Sequence, residues 1–168
     1  MREMNTKKSL LLIGFSFILS FVMAQDPSLP IYKRFPAVPP FKIIKLPDSS
    51  FFKKDDLRKK KATLIMIFSP DCDHCQKATK DLIANARLFK KVQIVMGSSA
   101  SYESISHFYR DFAIAGQPNI IMGWDPGFFL GSFYSITTYP SIFLYDKKGV
   151  YVQKFEGFVP FAKIAEQL

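Results

Sequence analysis

Cys72 and Cys75, the two cysteines of this chain, stand where the apolar run Thr63-Leu-Ile-Met-Ile67 gives way to a segment of helical period. An apolar run of that length, rich in β-formers, reads as a buried strand, and the change of period behind it marks a helix start. Cys72 is therefore expected at a helix N-terminus, where unpaired N–H groups and the positive end of the helix dipole favour an anion such as a thiolate. Cys75, three residues on, falls on the same face at a Cβ separation of about 5 to 6 Å in a regular helix. Modest adjustment closes such a pair into a disulfide. A dithiol that opens and closes without unfolding its surroundings suits redox chemistry. Two other readings compete with it. A structural staple across so short a loop removes little entropy from the unfolded chain, and a zinc site needs four ligands where only Cys72, Cys75 and His74 are at hand.

The pattern on either side supplies a scaffold for that junction. Cys75, Thr79, Leu82, Ile83, Ala86 and Phe89 recur at helical spacing and predict one amphipathic helix reaching Phe89. Val92 to Met96 reads as a second buried strand, Ile105, Phe108, Tyr109 and Phe112 as one face of a second helix, and Asn119 to Met122 as a short third strand. Strand, helix, strand, helix, strand implies a parallel sheet with right-handed crossovers. The aromatic stretch Gly127 to Tyr134 is expected to pack on the sheet, with an apolar rim for a partner as the alternative. Ser141 to Tyr145, the turn Asp146-Lys-Lys-Gly149 and Val150 to Phe155 form an antiparallel hairpin. Phe161, Ile164, Ala165 and Leu168 give a last helix one face to bury. Upstream, Phe41 to Leu46 reads as a strand, and the charge run Asp55 to Lys61 as a solvated turn or helix face.

The amino terminus has the outline of a signal peptide: Arg2, Lys7 and Lys8, an apolar run from Leu10 to Met23, then Val22 and Ala24 at the positions preceding a cut before Gln25. An uncleaved membrane anchor is the alternative. Residues 1–24 are thus assigned to the signal peptide, 25–40 to a Pro-rich extended linker, and 41–168 to a single domain. Cleavage lowers the formal charge from +9 to +7, because the removed segment holds three bases and one acid. For an exported chain that charge serves solubility and attraction to acidic partners or anionic lipid surfaces rather than nucleic acid.

With Cys-x-x-Cys at a strand-helix junction and an x-Pro directly before a terminal hairpin and helix, the chain resembles the thioredoxin superfamily. It is most similar there to the TlpA/ResA-like exported thiol-disulfide oxidoreductases. The resemblance rests on Ser69-Pro-Asp-Cys-Asp-His-Cys75, on Asn119 to Tyr134 as the strand and loop leading to the proline, and on Tyr134 to Gly149 with its Tyr139-Pro140, and it spans residues 41–168. It implies an α/β fold of three layers, a central mixed sheet with helices on both faces. It also implies catalysis by Cys72 and Cys75, a cis-proline platform of Tyr139 and Pro140 for the substrate polypeptide, and no cofactor or metal. The partners it implies are protein thiols or disulfides and a redox partner of unstated identity, met by a monomer outside the cytoplasm. His74 matches the place where disulfide-forming DsbA-like relatives carry His, which makes it a candidate to tune the thiol.

Two departures from the family's pattern concern the proton acceptor. The buried Asp six residues before the first cysteine is replaced by Met66, and the Glu three residues after the second by Ala78. A copper-handling protein of the same fold is the alternative function. Relatives with that role supply a later-loop histidine, and none occurs between His107 and Leu168. The peroxiredoxin pattern Pro-x-x-x-Thr-x-x-Cys is absent as well.

Overall fold

The structure is a computed structural model that describes residues 27–168; the segment read as a signal peptide, residues 1–24, lies outside them. In chain order the elements are α1 (Ile31–Arg34), β1 (Lys42–Lys45), β2 (Phe51–Lys53), β3 (Ala62–Ile67), α2 (Asp73–Ala84), β4 (Val92–Ser98), α3 (Tyr102–Asp111), β5 (Ile120–Trp124), α4 (Phe129–Tyr134), β6 (Ser141–Tyr145), β7 (Tyr151–Glu156) and α5 (Phe161–Ala165). Short 3₁₀ turns follow β2, α2 and α3. The seven strands among the described residues form one sheet in the order β2-β1-β5-β4-β3-β6-β7. The three strands β3, β4 and β5 are parallel and the remaining pairs antiparallel, so the sheet is mixed.

All six residues of β3 are buried, because alternate side chains serve two cores. Leu64 and Met66 point into a cluster with Cys75, Ala78 and Leu82 of α2, Ile105 and Phe108 of α3, and Phe161 and Ile164 of α5. Ile65 and Ile67 point the other way, into a cluster with Tyr32 of α1 and Leu130 and Tyr134 of α4. Helices therefore cover both faces, as the resemblance implies. The second cluster holds a buried polar pair, the Tyr134 and Tyr145 hydroxyls 2.6 Å apart. Tyr134→Phe removes one partner and leaves the other hydroxyl buried and unpaired, so it is expected to cost about 1 to 3 kcal/mol in urea denaturation. An unchanged midpoint would show that the pair contributes nothing.

Three elements differ from the sequence-based expectation. The predicted single helix to Phe89 ends at Ala84, where the Asn85 side chain folds back onto the Asp81 carbonyl at 2.9 Å and a 3₁₀ turn takes over. Residues 25–40 were expected to form an extended linker, yet the described part from Pro30 onward lies on the sheet. Tyr32 there is buried against the rings of Tyr134, Phe143 and Tyr151, and Val38 N–H donates to the Gly149 carbonyl. Strand β2 is an addition, three residues paired with β1 at the sheet edge. The aromatic 127–134 stretch packs as expected through α4, with Leu130 and Tyr134 buried and Phe128 and Phe129 left at the surface. Asp125, itself buried, holds the start of α4 by accepting from the N–H groups of Phe129 and Leu130 at 3.1 and 2.8 Å.

Candidate active site

Parallel strand β3 delivers the chain from its C-terminal end into Phe68 to Asp71, and α2 then begins with Cys72 as its N-cap. The Cys72 carbonyl accepts from the N–H groups of Cys75 and Gln76 at 2.9 and 3.0 Å, so the motif is wound into the first helical turn. Its side chain stays half-buried, while Cys75 is fully buried. Both are free thiols in this structure. Antiparallel β6, paired with β3 from Ser141 opposite Ile67, starts directly after the Tyr139-Pro140 bond, which is cis. That register carries the proline loop to the cysteines. Cys72 Sγ lies 3.8 Å from the Tyr139 carbonyl oxygen, 67 residues away in sequence.

The two thiols have different surroundings. Burial pushes the Cys75 thiol well above the ordinary thiol value of 9.0, the Ser69 backbone N–H pulls it down, and contact with the Cys72 thiol pushes it up again. Met66 and Ala78, both buried, occupy the positions where relatives place carboxylates, so neither position offers Cys75 a proton acceptor. Burial also raises the Tyr139 phenol, with the charge of Cys75 adding to it. A group whose folded pKa is raised adds stability that is complete below its unfolded value and lost as pH rises toward the folded one. The reduced protein is therefore expected to lose stability above about pH 9, by up to about 1.4 kcal/mol per pH unit. The disulfide form lacks that proton. Parallel urea midpoints for the two redox forms between about pH 8 and about pH 10 would contradict this.

His74 is exposed in the first turn of α2, and its side chain makes no hydrogen bond or ion pair among the described residues. His107 lies on α3 with an Arg110 guanidinium nitrogen 3.0 Å from its Nδ1. Among the described residues no three or more His, Cys, Asp or Glu side chains gather in a way that could hold a metal ion. Sequence reasoning missed a groove of about 830 Å³ beside the motif, lined by Pro70, Asp71 and Gln76 on one side and His107, Phe108 and Phe112 on the other. It lies between α2 and α3, so no local spacing announces it.

A family model described as a thioredoxin-like domain matches residues 52–168, most of the chain. The chain belongs to the thioredoxin-like domain family. Solved structures agree on the fold. A putative thioredoxin from Neisseria meningitidis shares 24% identity at a TM-score of 0.61, covering 79% of this chain and 86% of its own. A putative thiol:disulfide interchange protein DsbE from Chlorobium tepidum shares 19% at 0.64, covering 78% and 92%. StoA from Bacillus subtilis shares 21% at 0.58, covering 79% and 98%. A comparison with curated proteins gives no significant match. In this thioredoxin-like chain the Tyr139–Pro140 bond is cis, and Cys72 and Cys75 stand three positions apart at the start of α2.

Proposed function

We propose that this thioredoxin-like protein is an exported thiol-disulfide oxidoreductase that exchanges disulfides with other extracytoplasmic proteins through Cys72 and Cys75. The observation that carries the reading is the pairing of a half-buried first thiol with a buried second one beside the Tyr139 carbonyl. Export rests on the amino-terminal pattern of charge and apolar residues. Among the described residues no helix is long and apolar enough to cross a membrane.

In the reductive direction the Cys72 thiolate attacks one sulfur of a substrate disulfide. A Cys72–substrate disulfide forms, and the other substrate sulfur leaves as a thiolate that takes a proton from water. Cys75 then gives up its proton to water and attacks Cys72 Sγ, the water returning that proton to the second substrate sulfur as it leaves. The protein disulfide forms, the second substrate sulfur leaves, and two electrons have passed from the protein to the substrate. Run backwards, the same steps oxidise a dithiol. An attacking anion at Cys72 stands at the N-terminal end of α2, where first-turn N–H groups and the helix dipole favour negative charge. The substrate chain is placed against the backbone of Tyr139 before Pro140.

His74, exposed in the first turn of α2, is the residue placed to tune the pair: a positive charge at that position, when the ring carries one, favours an anion on the neighbouring sulfur and hence the reduced form. His74→Ala is accordingly expected to make the reduction potential more negative in a glutathione titration, where about 30 mV is a tenfold change in the equilibrium constant. An unchanged potential removes His74 from the site. The activity itself is tested by insulin-disulfide reduction with dithiothreitol as the electron source, and no acceleration over dithiothreitol alone overturns the reading.

A further inference from the structure

The fold gathers basic residues from distant parts of the chain at the end of the sheet opposite the cysteine pair. Arg58 to Lys61 lead into the first residue of β3, while the Cys72 motif follows its last. Six strand residues separate the two ends, a span of about 17 to 20 Å. Antiparallel β6 brings the β6–β7 turn to the same place, since Thr63 pairs with Tyr145 immediately before Asp146-Lys147-Lys148. Lys54, the Arg58–Lys61 run and Lys147–Lys148 surround one hollow of about 320 Å³, seven cations with no Asp or Glu in its lining. Lys90 and Lys91, exposed just before β4, extend the surface, because Val92 pairs with Ala62. None of these cations is in an ion pair among the described residues. The nearby acids are Asp55, Asp56 and Asp146, and Asp146 is engaged by the Lys148 and Val150 N–H groups of its own turn.

Lone cations on a surface are solvated and carry no message. A concentration of them on one pole is different, because their potentials add over a Debye length of about 8 to 10 Å. Apolar side chains lie beside them. Val152 and Leu168, 45% and 50% exposed, line an adjoining hollow with Lys147 and Lys148. Cations mixed with exposed aliphatic side chains match a headgroup layer over hydrocarbon. The seven-cation hollow has no aromatic lining on which nucleic-acid bases could stack.

We infer that this pole is a docking surface for anionic phospholipid membranes, which holds the protein with its cysteine pair turned away from the bilayer toward soluble partners. The docking works alongside the amino-terminal apolar segment or without it, and on either side of a membrane.

The test uses the full chain with vesicles of one part phosphatidylglycerol to three parts phosphatidylcholine, and with vesicles of phosphatidylcholine alone. Reading the ratio of the two partition coefficients cancels the contribution of the apolar segment. Two variants carry equal charge loss: Lys59, Lys60, Lys147 and Lys148→Gln on the pole, and Lys33, Lys45, Lys80 and Lys163→Gln elsewhere. Each cation near an anionic surface is worth roughly fivefold in partition at low salt. The pole variant is therefore expected to lower the ratio at least about tenfold and the other less than about threefold, both reducing insulin as the parent does. Equal losses in the two variants, or a parent that binds both vesicles alike, would overturn the inference. So would a pole-dependent binding of duplex DNA or poly-glutamate without a pole-dependent binding of vesicles.

Discussion

Cys72→Ser is expected to reduce insulin turnover by at least about 1,000-fold, to the level of dithiothreitol alone. The reason is chemical before it is structural. A serine hydroxyl cannot form the mixed disulfide, and Cys75 cannot substitute for the missing sulfur because it is fully buried and its thiol holds its proton well above the ordinary range. The substitution also leaves the fold intact. Cys72 is half-buried at the N-cap, a position that serine fills well, so the variant is expected to unfold at the same urea concentration as the parent. Loss of turnover with unchanged stability separates the chemical role from a packing role. Equal activity in variant and parent would remove Cys72 from the mechanism.

Cys75→Ser has a different signature. The first attack needs only Cys72, so the variant still captures a disulfide but cannot displace what it has captured. Incubation with a disulfide-linked peptide is expected to leave a stable covalent adduct on Cys72, identified by proteolysis and mass measurement, with turnover reduced at least about 100-fold. Cys75 sits in the core with Ala78 and Leu82, and serine there buries a hydroxyl in place of a weakly polar thiol. A stability loss of about 1 to 3 kcal/mol is expected as well. Reading the adduct rather than the rate keeps the test independent of that loss. A variant that turns over without accumulating adduct would show that Cys75 is not the resolving thiol.

The parts of the fold that local period governs were legible in the sequence. β3 is six buried residues, five of them apolar, with a helical repeat beginning a short loop later, and the β6–β7 hairpin carries its own turn, with Gly149 at positive φ. The cysteine positions at the start of α2 follow from that junction alone. What distant contacts decide was not legible. α1 is a four-residue turn held by the rings that Tyr32 meets on β6, β7 and α4, and β2 is a three-residue edge with no period to detect. The end of α2 depends on one side chain, Asn85, turning back, and Asp81 beside it is engaged by the Phe161 N–H, 80 residues on. At the site, the depth of Cys75 and its contact with the Ser69 N–H arise from packing between β3 and α2, which spacing does not reveal. The charge run Arg58 to Lys61 reads as solvated surface until β6 places Lys147 and Lys148 beside it.

The central claim is that two sulfurs three positions apart form and break a bond with each other in the folded protein. Equilibration of the full chain in glutathione buffers of graded ratio, with acid quenching and mass measurement of the peptide holding residues 72–75, tests it most directly. The account predicts a single reversible transition in which that peptide loses two hydrogens as the buffer becomes oxidising, with no glutathione attached at the end point. A peptide that stays reduced throughout, or that ends with glutathione on Cys72 and a free Cys75, would contradict it.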